Sequence, residues 1–73
     1  MPDGRIEAAR RKMIEEIAAA KERHWYGIDT AEAAEILRHA KAARLPCEEV
    51  VTALEQAGMT DHDIGIARFA ARY

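Results

Sequence analysis

Hydrophobic positions recur along the first third of the chain at helical spacing. Ile6, Met13, Ile17 and Ala20, closed by His24, are separated by intervals of three, four and seven residues. Ile14 and Ala18 widen this stripe, and Gly27 supplies a stop. The pattern predicts a helix from about Asp3 to Tyr26. At about 1.5 Å per residue it runs roughly 30 Å, longer than so short a chain needs to cover its own core. Part of its apolar stripe is therefore expected to meet another surface.

A second pattern opens at Asp29, an N-cap residue type with Glu32 three positions on, the spacing of a capping box. Ala33, Ile36, Leu37 and Ala40 share one helical face before Leu45-Pro46 ends it, because the residue before proline is driven out of the helical region. Pro46 is expected in the first turn of a third helix, where its missing N–H costs nothing. Val50, Val51, Leu54 and Ala57 then point inward as far as Gly58. Thr60 caps a fourth helix with Asp63 at its third position, and Met59 with Ile64 has the spacing of a hydrophobic staple. Ile64, Ala67, Ala70 and Ala71, joined by Ile66 and Phe69, make an apolar surface broad for the helix's length. Gly65 inside it costs about 1 kcal/mol relative to alanine and leaves room for a neighbouring helix to come close. No stretch alternates in the manner of a strand. The expected fold is all-α: one domain over residues 1–73, a small bundle of about four helices, a long N-terminal helix followed by three shorter ones.

Composition sharpens the expectation that the core is thin. The hydrophobic share of 49% is largely alanine, and the aromatic residues are Trp25, Tyr26, Phe69 and Tyr73 alone. Chains of this size bury only roughly 60% of their unfolded surface, and small domains are commonly reinforced by a disulfide, a metal or a second subunit. With the single cysteine Cys47 no internal disulfide forms, and a lone thiol suits a reducing compartment. No apolar run reaches the roughly 18 residues of a membrane span, and the start, Met-Pro-Asp-Gly-Arg, carries no apolar signal core. The cytoplasm is the expected location, with no membrane partner.

Candidate chemistry is sparse. His24, His39, His62 and Cys47 show neither two histidines four apart nor a Cys-x-x-Cys, and the residues three before the histidines are Lys21, Ile36 and Met59, so no metal site and no cofactor are expected. Cys47 falls in a first helical turn, which favours a thiolate, but Glu48 and Glu49 follow it and oppose one. Serine is absent from the chain, no glycine-rich phosphate loop is present, and Glu15-Glu16 are adjacent rather than facing. The chain is not expected to be an enzyme.

The stretch Ala53 to Phe69, with apolar Ala53, Ala57, Met59, Ile64 and Ala67 and a turn at Gly58, resembles the helix-turn-helix signature of bacterial regulators. That resemblance implies a DNA-binding transcriptional regulator with the fourth helix in the groove, using Arg68 and Arg72, and Arg10, Arg11 and Lys12 on the phosphate backbone. The N-terminal residues of that helix, which would meet bases and phosphates, are Asp61, His62 and Asp63. Net charge is −2, and residues 45–73 carry two basic against five acidic side chains. Nucleic acid is thereby disfavoured as a partner.

The reading these features favour is a small protein-protein interaction module: an accessory subunit, inhibitor or antitoxin-like partner, homodimeric through the first or the fourth helix. Tryptophan, tyrosine and arginine are enriched at interface hot spots. The expected partner-binding residues are Arg10, Ile17, Trp25, Tyr26, Phe69 and Tyr73.

Overall fold

The computed structural model describes residues 4–73. Its elements are α1 (Gly4–Arg23), α2 (Thr30–Ala42), α3 (Cys47–Gln56) and α4 (Asp61–Ala71). No strand occurs among the described residues, and the long first helix followed by three shorter ones is the arrangement the hydrophobic pattern predicts. The boundaries differ in instructive ways. α1 stops at Arg23 rather than Tyr26: the N–H of Gly27 donates to the His24 carbonyl at 3.2 Å, and Gly27 takes a φ of 101°. That turn replaces the expected last helical turn and lifts Trp25 and Tyr26 onto its tip.

At the N-termini, one expected cap forms and another does not. Thr60 Oγ1 accepts from the Asp63 N–H at 3.2 Å. Asp29 occupies the N-cap position of α2, yet its side chain makes no capping hydrogen bond, and Glu32, the other half of the expected capping box, turns away toward the end of α1. There it accepts from Arg23 Nη1 at 2.7 Å, and its other oxygen lies 3.1 Å from His24 Nε2. Pro46 is the N-cap of α3, with a ψ of 134°, rather than a residue of its first turn.

The C-termini of α2, α3 and α4 share one device. After α2 the N–H groups of Arg44 and Leu45 bond the carbonyls of Lys41 and Ala40, after α3 those of Gly58 and Met59 bond Glu55 and Leu54, and after α4 those of Arg72 and Tyr73 bond Phe69 and Arg68. Each is a Schellman motif, closed by a residue with positive φ. That residue is Gly58 after α3 but arginine in the other two, Arg44 at 65° and Arg72 at 56°.

The core is assembled around α2, which meets each of the other three helices. Ala33, Ala34, Ile36, Leu37 and Ala40 are buried there, against Met13, Ile17 and Ala20 of α1, Val50 and Leu54 of α3, and Ile64, Ala67 and Ala71 of α4. Leu45 and Met59 close it from the connections. The largest fully buried side chains are Leu37, Leu54 and Val50, so the interior is built from aliphatic residues and alanine, with every aromatic outside it or at its edge. α1 and α4 do not touch; each leans on α2 and α3. Lys41 Nζ donates to the Arg72 carbonyl at 2.6 Å, joining the C-terminal ends of α2 and α4, which run in the same sense. The molecule measures 40 × 24 × 16 Å, of which the 20 residues of α1 span about 30 Å.

Candidate interaction surfaces

The first surface is the outer side of α4. A helix advances about 100° per residue, and Ile64, Ala67 and Ala71 point into the core. Gly65, Ile66 and Phe69, with His62 one turn before Ile66, consequently face away from it, Ala70 lies at the edge of this face, and all five are exposed. Phe69 retains 88% of its surface and Ile66 47%. The broad apolar surface expected of this helix is thus two opposed faces, one folded inward and one left open. Gly65 sits on the open face with nothing within 4 Å of where a Cβ would lie, so no helix of this chain uses the room it leaves. Beside this face, Ile66 and Ala70 line an open groove of about 400 Å³ with Thr30, Ala31, Ala34 and the charged Glu35 and Arg38 of α2.

The second surface is a groove of about 480 Å³ between α1 and α3, floored by Met13, Ile14 and Ala53 and edged by Glu48, Thr52 and Gln56. Ile14 is 56% exposed there. Arg10 and Glu49 cross its end in a two-pronged ion pair, Nε to Oε2 at 2.6 Å and Nη2 to Oε1 at 2.9 Å. The guanidinium holds the Glu49 carboxyl below its ordinary pKa by hydrogen bonding, and Glu49 in turn raises that of Arg10.

The third is the α1–α2 turn. Trp25 is 96% exposed and Tyr26 61%. The Tyr26 ring stacks on His24 with centroids 4.8 Å apart, and Trp25 meets it edge-on at 5.8 Å. The stack holds one aromatic in place while the other projects into solvent.

No family model, curated protein or solved structure matches this chain. The surfaces must be read from their own chemistry.

Of the residues singled out in the sequence, Trp25, Tyr26 and Phe69 are open to solvent, and Arg10 is spanned to Glu49. Ile17 is only 7% exposed and belongs to the chain's own core, where the helical stripe of α1 docks on α2 and α3, so it is unavailable to a partner. Tyr73 is half buried against the core. Its backbone oxygen accepts from Arg68 Nε at 3.1 Å and lies 3.6 Å from Cys47 Sγ, and burial pushes its phenol pKa up. Arg68 and Arg72 share the C-terminal end of α4, while Arg10, Arg11 and Lys12 lie on α1, which does not meet α4. The fold therefore does not gather the five basic residues of the DNA-binding reading on one pair of neighbouring helices. The histidines are dispersed: His39 Nδ1 is 3.0 Å from Glu16, His24 is stacked on Tyr26, and His62 is exposed in the first turn of α4. The sequence marks Ile14 and Ala53 as apolar but does not join them with Glu49 in one groove, which depends on how α1 and α3 dock. It did mark Ile66 as apolar, without separating its face from that of Ile64.

Proposed function

We propose that this chain is a non-enzymatic protein-protein interaction module that self-associates and presents apolar and aromatic side chains to a protein partner, in the manner of an accessory subunit, an inhibitor or an antitoxin-like protein. One observation carries the reading: Trp25 and Phe69 of an aromatic-poor sequence are 96% and 88% exposed while aliphatic residues and alanine fill the interior. Scattered single apolar residues are ordinary on a surface, but Phe69 lies in a continuous stripe with Ile66 and Ala70, and Trp25 stands beside Tyr26. Aromatic anchors of this kind dominate interface energetics when buried by a partner.

The helix-turn-helix alternative draws on the α3–α4 corner and on Arg68 and Arg72. Against it, the outward face of α4 offers Ile66 and Phe69 where a recognition helix offers hydrogen-bonding groups to base edges, and Asp61 and Asp63 occupy its N-terminal turn.

Two measurements on the whole chain test the proposal. Sedimentation equilibrium should find reversible self-association, and titration with duplex DNA at low salt should find none of the steeply salt-dependent binding that phosphate contacts produce. A chain that stays monomeric and binds duplex DNA in a manner lost with Arg68→Ala and Arg72→Ala together would overturn it.

A further inference from the structure

We infer that α4 is a self-docking helix whose exposed face, Gly65, Ile66, Phe69 and Ala70, packs antiparallel against the same face of a second copy about a two-fold axis beside Gly65 and Ile66. The inference rests on the self-association proposed above and assigns it a surface and a direction.

The glycine supplies the approach. Within a helix, glycine is less favourable than alanine, and at Gly65 nothing in the chain explains it: the residue is exposed, and a Cβ there meets no atom within 4 Å. A second helix lying across the open face is the packing that uses the missing side chain, with Ile66 and Phe69 closing over it from one helix and the other.

Charge supplies the direction and the identity of the occupant. By the helical rotation of about 100° per residue, Asp61, Arg68 and Arg72 lie along one flank of the open face, the flank on which Arg68 lines a cleft with α3. Asp61 is at its N-terminal end and the two arginines at its C-terminal end. None of the three forms an ion pair with an acidic or basic side chain among the described residues; Arg68 donates through Nε to the Tyr73 oxygen at 3.1 Å, which leaves its Nη groups for a partner. A two-fold axis across the middle of α4 lays the same flank of both copies together and reverses one of them. Asp61 of each copy then meets Arg68 and Arg72 of the other, twice over. A two-fold with the helices parallel would set this flank against the opposite flank of the partner and bring Asp61 to neither arginine. Antiparallel packing also opposes the two helix dipoles, each C-terminal end lying beside an N-terminal one. The surface is complementary to its own reverse, the property an isologous interface requires.

The face is small. A standard interface covers roughly 800 Å² per partner, and Phe69 contributes about 150–250 Å² at most, with Ile66, Ala70 and the Ala31 and Arg38 rim adding the rest. The dimer is accordingly concentration-dependent rather than obligate.

Sedimentation equilibrium on the full chain, with circular dichroism melts as the control for folding, tests the inference. Phe69→Asp and Gly65→Leu should each weaken association by about 30-fold or more while leaving a cooperative melt, and Gly65→Leu should melt no lower than the parent. Asp61→Arg should weaken association by about fivefold, and adding Arg68→Asp and Arg72→Asp to it should restore the loss. A parent that dimerises with Phe69→Asp and Gly65→Leu dimerising equally well overturns the α4 interface and leaves the self-association reading standing. A parent that is monomeric at every concentration removes both. Failure of the triple exchange to restore what Asp61→Arg loses overturns the antiparallel direction.

Discussion

At the scale of single residues, the two arginines in the left-handed region say the most. Arg44 and Arg72 close their helices with the same hydrogen bonds that Gly58 makes after α3, yet an L-residue with a Cβ pays roughly 1–2 kcal/mol for that backbone. For Arg44, which is exposed and lies outside the α4 face, nothing in the fold requires the side chain. Arg44→Gly is therefore expected to raise stability by about 1 kcal/mol, offset in part by the extra freedom glycine gives the unfolded chain. Urea denaturation checks this, and a destabilised variant would contradict the account. Neither arginine was legible in the sequence, since arginine carries no signal for positive φ, whereas Gly58 was, because glycine after an apolar run is the common way to end a helix. Trp25 and Tyr26 were legible as candidates but not as a turn. The spacing that put His24 on the stripe of α1 continues smoothly past Arg23, and only the Gly27 bond to His24 breaks it.

At the scale of the helices, the same sequence cue gave two results. Thr60 and Asp29 both sit at N-caps, but only Thr60 accepts the capping hydrogen bond, from Asp63. Thr60→Ala should cost about 1 kcal/mol, and Asp29→Ala distinctly less, its remaining contribution being charge near the positive end of α2; paired thermal melts compare them. The reciprocal half of the Asp29 box is missing as well, because the Glu32 carboxylate is committed to Arg23 and His24, a contact across the α1–α2 turn that spacing alone does not reveal. The tie between α1 and α3 carries a pH signature. Hydrogen bonding to Arg10 holds the Glu49 carboxyl below its ordinary value. Stability from the pair is therefore fully present above the ordinary carboxylate range, near pH 4–5, and is lost as pH falls through the lowered folded value. Both side chains are partly exposed, 43% and 32%, so the contribution is small and weakened by salt. In urea titrations from about pH 6 down to about pH 3, the advantage of the parent over Glu49→Gln should shrink toward zero, and a constant gap would refute the assignment.

At the scale of the whole molecule, the surplus is surface. An 8.2 kDa chain is expected to expose roughly 4,500 Å², and this one exposes 5141 Å², with α4 left uncovered on its outer side. The sequence anticipated the imbalance in the length of the first helical stripe and in the shortage of large core residues. It could not say which surface stays open: Ile64, Ala67 and Ala71 on one side of α4 and Ile66, Phe69 and Ala70 on the other are equally apolar, and only the docking of α4 onto α2 decides which set is inward. If the outward set is closed by a second copy, folding and association are linked, and the native state gains stability by mass action as concentration rises. A hundredfold increase centred on the dissociation constant adds about 0.9 kcal/mol per chain, since the chain is mostly monomeric at the lower end, and for so small a domain that corresponds to a rise in Tm of about 4–7 °C. Calorimetric or circular dichroism melts across that range should show the rise in the parent and a flat Tm in Phe69→Asp, whose charge lies in water in the monomer but would be buried in the dimer. A parent whose Tm does not move with concentration would mean that the open face of α4 contributes nothing to the stability of the fold.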